Sequence, residues 1–455
     1  MALRKNLLKI FSSIFPFADF AYILQLEEYD TLRYVKWLPR FFFRRGIQRR
    51  ETLAYTARVK ILLAASVGIY GVLVVIAAIH HALPVALLLS LIATLLIPFI
   101  VLVAAAVLSP AFLVAHARMR NQAQRTIAAA RGKMRIVMIA GSYGKTTTKG
   151  FIGQLATHQF RLQVPPGNIN TPSGIAAWIV RDLRASTDLL IIEADGYSRL
   201  EYAQTCTMVP ADIAVITNIG DQHLERFGSR QALADALAEV FARAHPGAHL
   251  IAPHAAADEL QKMALGNRTV HAVSSSVPQY RGMPIEALHL SDSQRQDLAL
   301  ALAVADILDI PERFVVAEAR TIAVPERRQM RRELYGYDAI DDSYNISFST
   351  AAASIAAASK AAGVQEKKLL VITAGIPELG PRMLDGNKKL GELLAKNADH
   401  TIVLGSVLSP EILRGLGNAP HTVLPKLSEF DRLKEHFYPG EWFLLLLPEL
   451  NDLYY

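Results

Sequence analysis

Cysteine is almost absent from this 455-residue chain, with Cys206 the single example. One thiol excludes a disulfide framework and any zinc site built on cysteine, and it suits a reducing compartment. Charge is thin as well, at 20% Asp, Glu, Lys and Arg against 52% hydrophobic residues. The formal net charge of +7 is confined to one end. The first 60 residues hold 12 Lys/Arg against 5 Asp/Glu, and the remaining 395 balance at 36 of each sign. Such local basic character argues against nucleic acid as a partner and for an anionic membrane surface. No internal repeat is present, and the length allows two or three domains with their own cores.

Two stretches lack charge altogether, Ile61 to Ile79 and Ala82 to Ala115. Each is long enough to cross about 30 Å of hydrocarbon as a helix. Arg58 and Lys60 precede the pair, Arg118, Arg120 and Arg125 follow it, and the connection His80-His81-Ala82-Leu83-Pro84 has no Lys or Arg. The positive-inside rule then predicts a transmembrane hairpin, residues 61–115, with both ends cytoplasmic. Pro98 and Pro110 are expected to kink or end the second helix. Residues 1–60 mix aromatic and basic clusters, such as Trp37-Leu38-Pro39-Arg40-Phe41-Phe42-Phe43-Arg44-Arg45, as an interfacial region does. A span beginning after 60 residues does not read as a cleavable signal peptide.

After a linker at 116–133 the pattern changes to short apolar runs separated by amphipathic stretches. The runs Ile136–Ala140, Leu189–Ile192, Ile213–Thr217 and Leu250–Ala252 predict an α/β domain over 134–324 with a mainly parallel sheet. A second α/β set, with runs at Leu369–Thr373, Thr401–Leu404 and Phe443–Leu447, predicts a smaller Rossmann-like domain over 325–455.

Between the first run and the next helix lies Gly141-Ser142-Tyr143-Gly144-Lys145-Thr146-Thr147-Thr148-Lys149. A strand, a glycine turn and a helix N-terminus in that order favour a phosphate, because free N–H groups and the helix dipole face it. Lys145 would reach the β- and γ-phosphate oxygens and Thr146 would ligate Mg²⁺. Ile139 stands where the general P-loop has glycine, so the match is to the shorter G-x-x-G-K-T-T. Glu193, at the end of the run beside this loop, supplies the hard oxygen that a phosphate-bridging cation needs, and Asp195 is an alternative. His223, in the polar loop after Ile216-Thr217-Asn218-Ile219-Gly220, is a candidate for metal or phosphate.

Together with Gly167-Asn168-Ile169-Asn170-Thr171-Pro172-Ser173-Gly174, Glu193 through Glu201, Pro325-Glu326-Arg327-Arg328, Asp341-Asp342-Ser343-Tyr344-Asn345 and Glu378-Leu379-Gly380, these stretches resemble the Mur ligase family, MurF type. The resemblance runs in the family's order from about 134 to 405. It implies a central ATP-binding domain at 134–324, a C-terminal domain at 325–455, and ATP with Mg²⁺. The implied chemistry is amide-bond formation through an acyl phosphate, in peptidoglycan precursor synthesis at the bacterial inner membrane. Catalytic positions map to Lys145, Glu193 and His223, and metal positions to Thr146, Glu193 and His223. Nucleotide positions map to Gly141, Ser142, Gly144, Lys145, Thr146, Thr147, Asn168, Asp297, Arg327, Arg328, Asp342, Tyr344 and Asn345. The implied partners are a carboxylate acceptor, lipid-linked or muropeptide, and an amine such as D-Ala-D-Ala.

Four departures accompany the resemblance. Leu237 stands at the family's carbamylated lysine, Asp297 at an adenine-contacting asparagine, and Ile346-Ser347-Phe348 where the pattern has Ala-Asn-Pro. The membrane region occupies the place of the uridine-nucleotide-binding domain. A catalytically reduced ATP-binding scaffold is therefore the alternative to a ligase. A transport ATPase is the third reading, weakened by two spans that carry no buried charge.

Overall fold

The computed structural model describes residues 14–43, 53–167, 169–220, 224–263, 268–274, 277–287, 290–324, 330–343 and 348–447. It divides into two compact units at Ala117/Arg118.

The first unit is helical: α1 (Phe17–Leu26), α2 (Thr31–Phe43), α3 (Ala57–His80), α4 (Leu83–Leu95) and the start of α5 (Ile97–Ala130). Thr56 caps α3 by accepting the Val59 N–H, and α4 begins with Leu83-Pro84, where proline suits the first turn. The second uncharged stretch is not one helix. It breaks at Leu96, two residues before Pro98, whose ring removes the N–H that would continue the ladder to Thr94. Pro110, by contrast, sits inside α5. Tyr34, fully buried, donates its hydroxyl to the Pro98 carbonyl at 3.0 Å. By length and composition α3 and α5 can each cross a membrane, with 17% and 33% of their most apolar windows buried.

The second unit holds two six-stranded sheets. The first has the order β2-β3-β1-β4-β5-β6, all parallel: β1 (Arg135–Ala140), β2 (Leu162–Gln163), β3 (Leu189–Glu193), β4 (Ile213–Ile216), β5 (His249–Pro253) and β6 (Val270–Val273). Alternate residues of β1 enter different cores, as strand geometry requires. Ile136, Met138 and Ala140 pack with Trp178 and Phe241, while Val137 and Ile139 pack with Phe151 and Leu298. Burial on both faces explains why this strand reads as an unbroken apolar run. Each fully buried Ile or Leu contributes about 1.5–3 kcal/mol.

The helices of this sheet are α6 (Lys145–Ala156), α7 (Pro172–Asp182), α8 (Arg199–Met208), α9 (Leu224–Phe227), α10 (Arg230–Ala242), α11 (His254–Gln261), α12 (Asp292–Ile307) and α13 (Glu312–Thr321). Ser291 starts α12 with a capping box that involves Gln294. A small ribbon, β7 (Gln279–Tyr280) with β8 (Met283–Pro284), precedes α12.

The second sheet has the order β13-β12-β11-β14-β10-β9, with β9 (Met330–Leu334), β10 (Tyr337–Asp341), β11 (Lys368–Thr373), β12 (His400–Leu404), β13 (His421–Leu424) and β14 (Trp442–Leu446). It is parallel except for β9, which returns to β10 through Tyr335-Gly336. Both turn residues have positive φ, +55° and +88°, as a two-residue hairpin favours. The helices α14 (Phe348–Val364), α15 (Met383–Asn397) and α16 (Ser409–Leu416) complete this part. The two sheets meet where the Glu225 N–H donates to the Glu378 carbonyl at 3.0 Å.

Candidate functional site

In the first sheet β1 lies between β3 and β4, so the carboxyl ends of three strands open onto one crevice, the usual ligand position in such folds. Residues 141–144 cross from β1 to α6 at that crevice. Gly141 and Gly144 have φ of +136° and +81°. An added Cβ would lie 2.2 Å from Thr217 Oγ1 at the first and 2.2 Å from Asp297 Oδ1 at the second, so neither position admits a side chain.

The segment after β4 holds this loop in shape. Asn218 accepts the Tyr143 N–H on Oδ1 at 3.2 Å and donates Nδ2 to the Tyr143 carbonyl at 2.8 Å. The Thr217 hydroxyl donates to the same carbonyl. The Gly220 N–H donates to Ser142 Oγ at 2.9 Å. Gly144 caps α6 without a side-chain acceptor, which leaves the first N–H groups of the helix directed at the loop.

Lys145 is buried, and its Nζ donates to the carbonyls of Gly141 at 2.7 Å and Ser142 at 3.3 Å. It also lies 3.4 Å from Asp195 Oδ2. Thr146 donates its hydroxyl to the Glu193 carboxylate, 3.2 and 3.0 Å from its two oxygens. Lys149, one turn after Lys145, pairs with Glu193 Oε2 at 2.8 Å. Asp195 is oriented by the Gly196 N–H at 3.0 Å and the Tyr202 hydroxyl at 3.3 Å. Burial, with Asp195 beside it, raises the Tyr202 phenol well above its ordinary pKa, so it stays a donor. Glu193 thus faces Thr146, and Asp195 faces Lys145.

Thr147 and Gly144 line a cleft with Tyr143, Asn218, Asp297 from α12 and Asp342 from the end of β10. Asp342 is buried, accepts the Ser354 hydroxyl, and brings the second sheet to this cleft. The structure therefore gathers Gly141, Ser142, Gly144, Lys145, Thr146, Thr147, Glu193, Asp297 and Asp342. Asn168, His223, Arg327, Arg328, Tyr344 and Asn345 lie outside the described residues.

The Thr146 hydroxyl and Glu193 carboxylate are hard oxygens in mutual contact, a donor pair that fits one Mg²⁺. A second cation is a different matter. Leu237 is fully buried in the apolar core of α10 and offers no ligand. Among the described residues no group of three His, Cys, Asp or Glu is arranged to hold a metal. Two residues on, Glu239 pairs with Arg199 at 2.6 Å and Arg243 at 2.5 Å.

Lys149 and the Thr217-Asn218 brace carry roles that the motif alone did not assign. Lys149 had a signal in its i+4 spacing from Lys145, which places both ammonium groups on one side of α6. The brace had none, because it depends on β4 lying beside β1.

A parallel sheet with a glycine loop, a buried lysine and an oxygen pair at its carboxyl edge defines an α/β domain with a candidate phosphate site. The Mur ligase middle domain model matches residues 139–295. The UDP-N-acetylmuramoyl-tripeptide–D-alanyl-D-alanine ligase of Mycobacterium bovis is 26% identical over 302 residues, 60% of this chain and 59% of that protein. Among solved structures, MurF from Acinetobacter baumannii has a TM-score of 0.63 at 20% identity, covering 73% of this chain and 77% of that one. MurF ligase from Thermotoga maritima in complex with ADP has a TM-score of 0.62 at 20% identity, over 73% and 80%. Residues 139–295 thus resemble the Mur ligase middle domain, and the chain is similar to MurF ligases in sequence and in fold. It spans about three-fifths of the length of the curated relatives it matches first.

Proposed function

We propose that this protein is a membrane-anchored, ATP-dependent carboxylate–amine ligase of peptidoglycan precursor synthesis, MurF-like in chemistry. One observation carries the reading: Lys145, Thr146 and Glu193 converge at the loop while Asp342 lines the cleft beside it. A substrate carboxylate oxygen attacks the γ-phosphorus of ATP, the bond to the bridging oxygen breaks, and ADP leaves. An amine then attacks the acyl carbon, inorganic phosphate departs, and the amine proton passes to solvent or a base. Catalysis of this kind is mainly charge neutralisation and positioning. Lys145 and the N–H groups at the start of α6 neutralise phosphate oxygens, and Asn218 keeps the loop in shape. Mg²⁺ held by Thr146 and Glu193 would supply further charge compensation.

α3 and α5, with basic residues outside both, support two membrane crossings with the ligase domains, 134–324 and 325–455, on the cytosolic face of the bacterial inner membrane. Asp297 is assigned to the nucleotide, and the family pattern adds Asn168, Arg327, Arg328, Tyr344 and Asn345 to the nucleotide positions and His223 to the metal positions. An acceptor delivered at the membrane and an amine such as D-Ala-D-Ala complete the reaction.

Leu237 in the core and Asp297 against Gly144 favour a second reading, an ATP-binding scaffold without turnover. Phosphate release by the full chain in detergent separates the two. A ligase gives turnover that requires both acceptor and amine and is lost in Lys145→Ala. Tight ATP binding with no release for any acceptor–amine pair establishes the scaffold instead.

A further inference from the structure

The end of α5 is built into the second unit through specific contacts. Ala123 and Ile127 are buried in its core, Gln124 Nε2 donates to the Thr207 carbonyl at 3.3 Å, and Arg131 reaches the Pro210 carbonyl at 3.2 Å and Asp212 at 3.1 Å. Just before these contacts, α5, α8 and the residue after α10 border an open pocket of about 250 Å³. Its polar lining is Arg120, Asn121, Gln124, Gln204, Thr207 and Arg243.

The pocket is electropositive. Arg243 donates to Thr207 Oγ1 at 3.2 Å and shares Glu239 with Arg199, so two guanidinium groups face one carboxylate. Arg120 adds a third positive charge. It is half-buried and has no hydrogen bond or ion pair among the described residues. A partly desolvated guanidinium without a partner is unfavourable, and a phosphate is the anion its planar fork matches best.

Position in the chain identifies the source of that phosphate. Arg120 follows the last residue of the uncharged stretch, Ala115, by five residues within α5. At 1.5 Å per residue this is about 7.5 Å, close to the depth of one headgroup layer beyond the hydrocarbon. We propose that this pocket is a phosphate site that takes the headgroup of an anionic membrane lipid. The inference rests on the membrane-anchored reading above and is independent of whether the ligase turns over.

Native mass spectrometry of the full chain, released from detergent micelles holding equal phosphatidylglycerol and phosphatidylcholine, tests it. The wild type is expected to retain phosphatidylglycerol about tenfold over phosphatidylcholine. Arg120→Gln should lose that preference by about fivefold or more, and Arg120→Lys should restore part of it. Gln204→Glu, which places a carboxylate in the pocket, should lose it too, and it decides the matter if Arg120→Gln melts below the wild type. Unchanged retention in both variants overturns the site. Displacement of the lipid by millimolar inorganic phosphate overturns the lipid assignment in favour of a free anion. Alkaline extraction of the wild type from membranes is read alongside. Release into the supernatant overturns the membrane reading and this proposal together, whereas retention with no dependence on Arg120 or Gln204 overturns only the pocket.

Discussion

Lys149 Nζ lies 2.8 Å from Glu193 Oε2, and both side chains are buried next to the loop that carries Lys145. Removing one member of such a pair leaves a charge in a poorly solvated place, at a cost of about 3–5 kcal/mol. Glu193→Ala is therefore expected to lower the melting temperature of the second unit by several degrees. The double variant Glu193→Leu, Lys149→Met should recover much of the loss. Thermal denaturation of the three proteins in the same detergent checks the order. A single variant as stable as the wild type would show that the pair carries no structural weight.

Gly144 combines φ of +81° with a Cβ position 2.2 Å from Asp297 Oδ1. Backbone strain of this kind costs about 1–3 kcal/mol. Gly144→Ala is expected to weaken nucleotide binding at the proposed ATP site by about tenfold or more. Adding Asp297→Ala relieves the clash but not the dihedral, so calorimetric titration should show only partial recovery.

Glu239 gives a pH dependence with a definite sign. Burial opposes its ionisation, but hydrogen bonds from Arg243 and Arg199 outweigh that and hold the carboxyl below its usual value of 4.5. A folded-state pKa below the unfolded one stabilises fully above about pH 4.5, and the contribution is lost as pH falls through the folded value. Glu239→Gln is expected to be less stable than the wild type at pH 7. The gap should narrow as melts are repeated below pH 4.5.

Cys206 is fully buried, its Sγ 3.5 Å from Met138 Sδ. Burial above all, with the Glu239 charge adding to it, pushes the thiol up to about 12. Alkylation by iodoacetamide at pH 8 is expected to be negligible in the folded protein and complete after denaturation, a difference that intact mass reads directly.

The parts legible in the sequence were those that burial on both faces makes continuous. β1, β3, β4, β5, β11, β12 and β14 all lie on apolar runs. β2 has only two residues and β13 is half-exposed at the edge of its sheet, so neither produces such a run. The β9–β10 hairpin turns on the positive φ of Tyr335, which residue type alone does not announce. In the uncharged segment from Ala82, hydropathy sets length but not continuity, and the break at Leu96 follows from Pro98 two residues later. Within the site, spacing placed Lys145, Thr146 and Glu193. Asp195 was an alternative to Glu193 and Lys149 had its i+4 spacing from Lys145, whereas Asn218 acquires its task only through strand order.

The Asn218 amide offers the Tyr143 peptide one donor and one acceptor, as a neighbouring strand would. The loop is in this sense stitched into the sheet by a side chain, and little of its conformational entropy is left to lose when an anion arrives. Association then need not wait for the loop to order. It should proceed at a docking rate on the order of 10⁵–10⁷ M⁻¹s⁻¹, leaving differences among nucleotides to appear in how slowly each one departs.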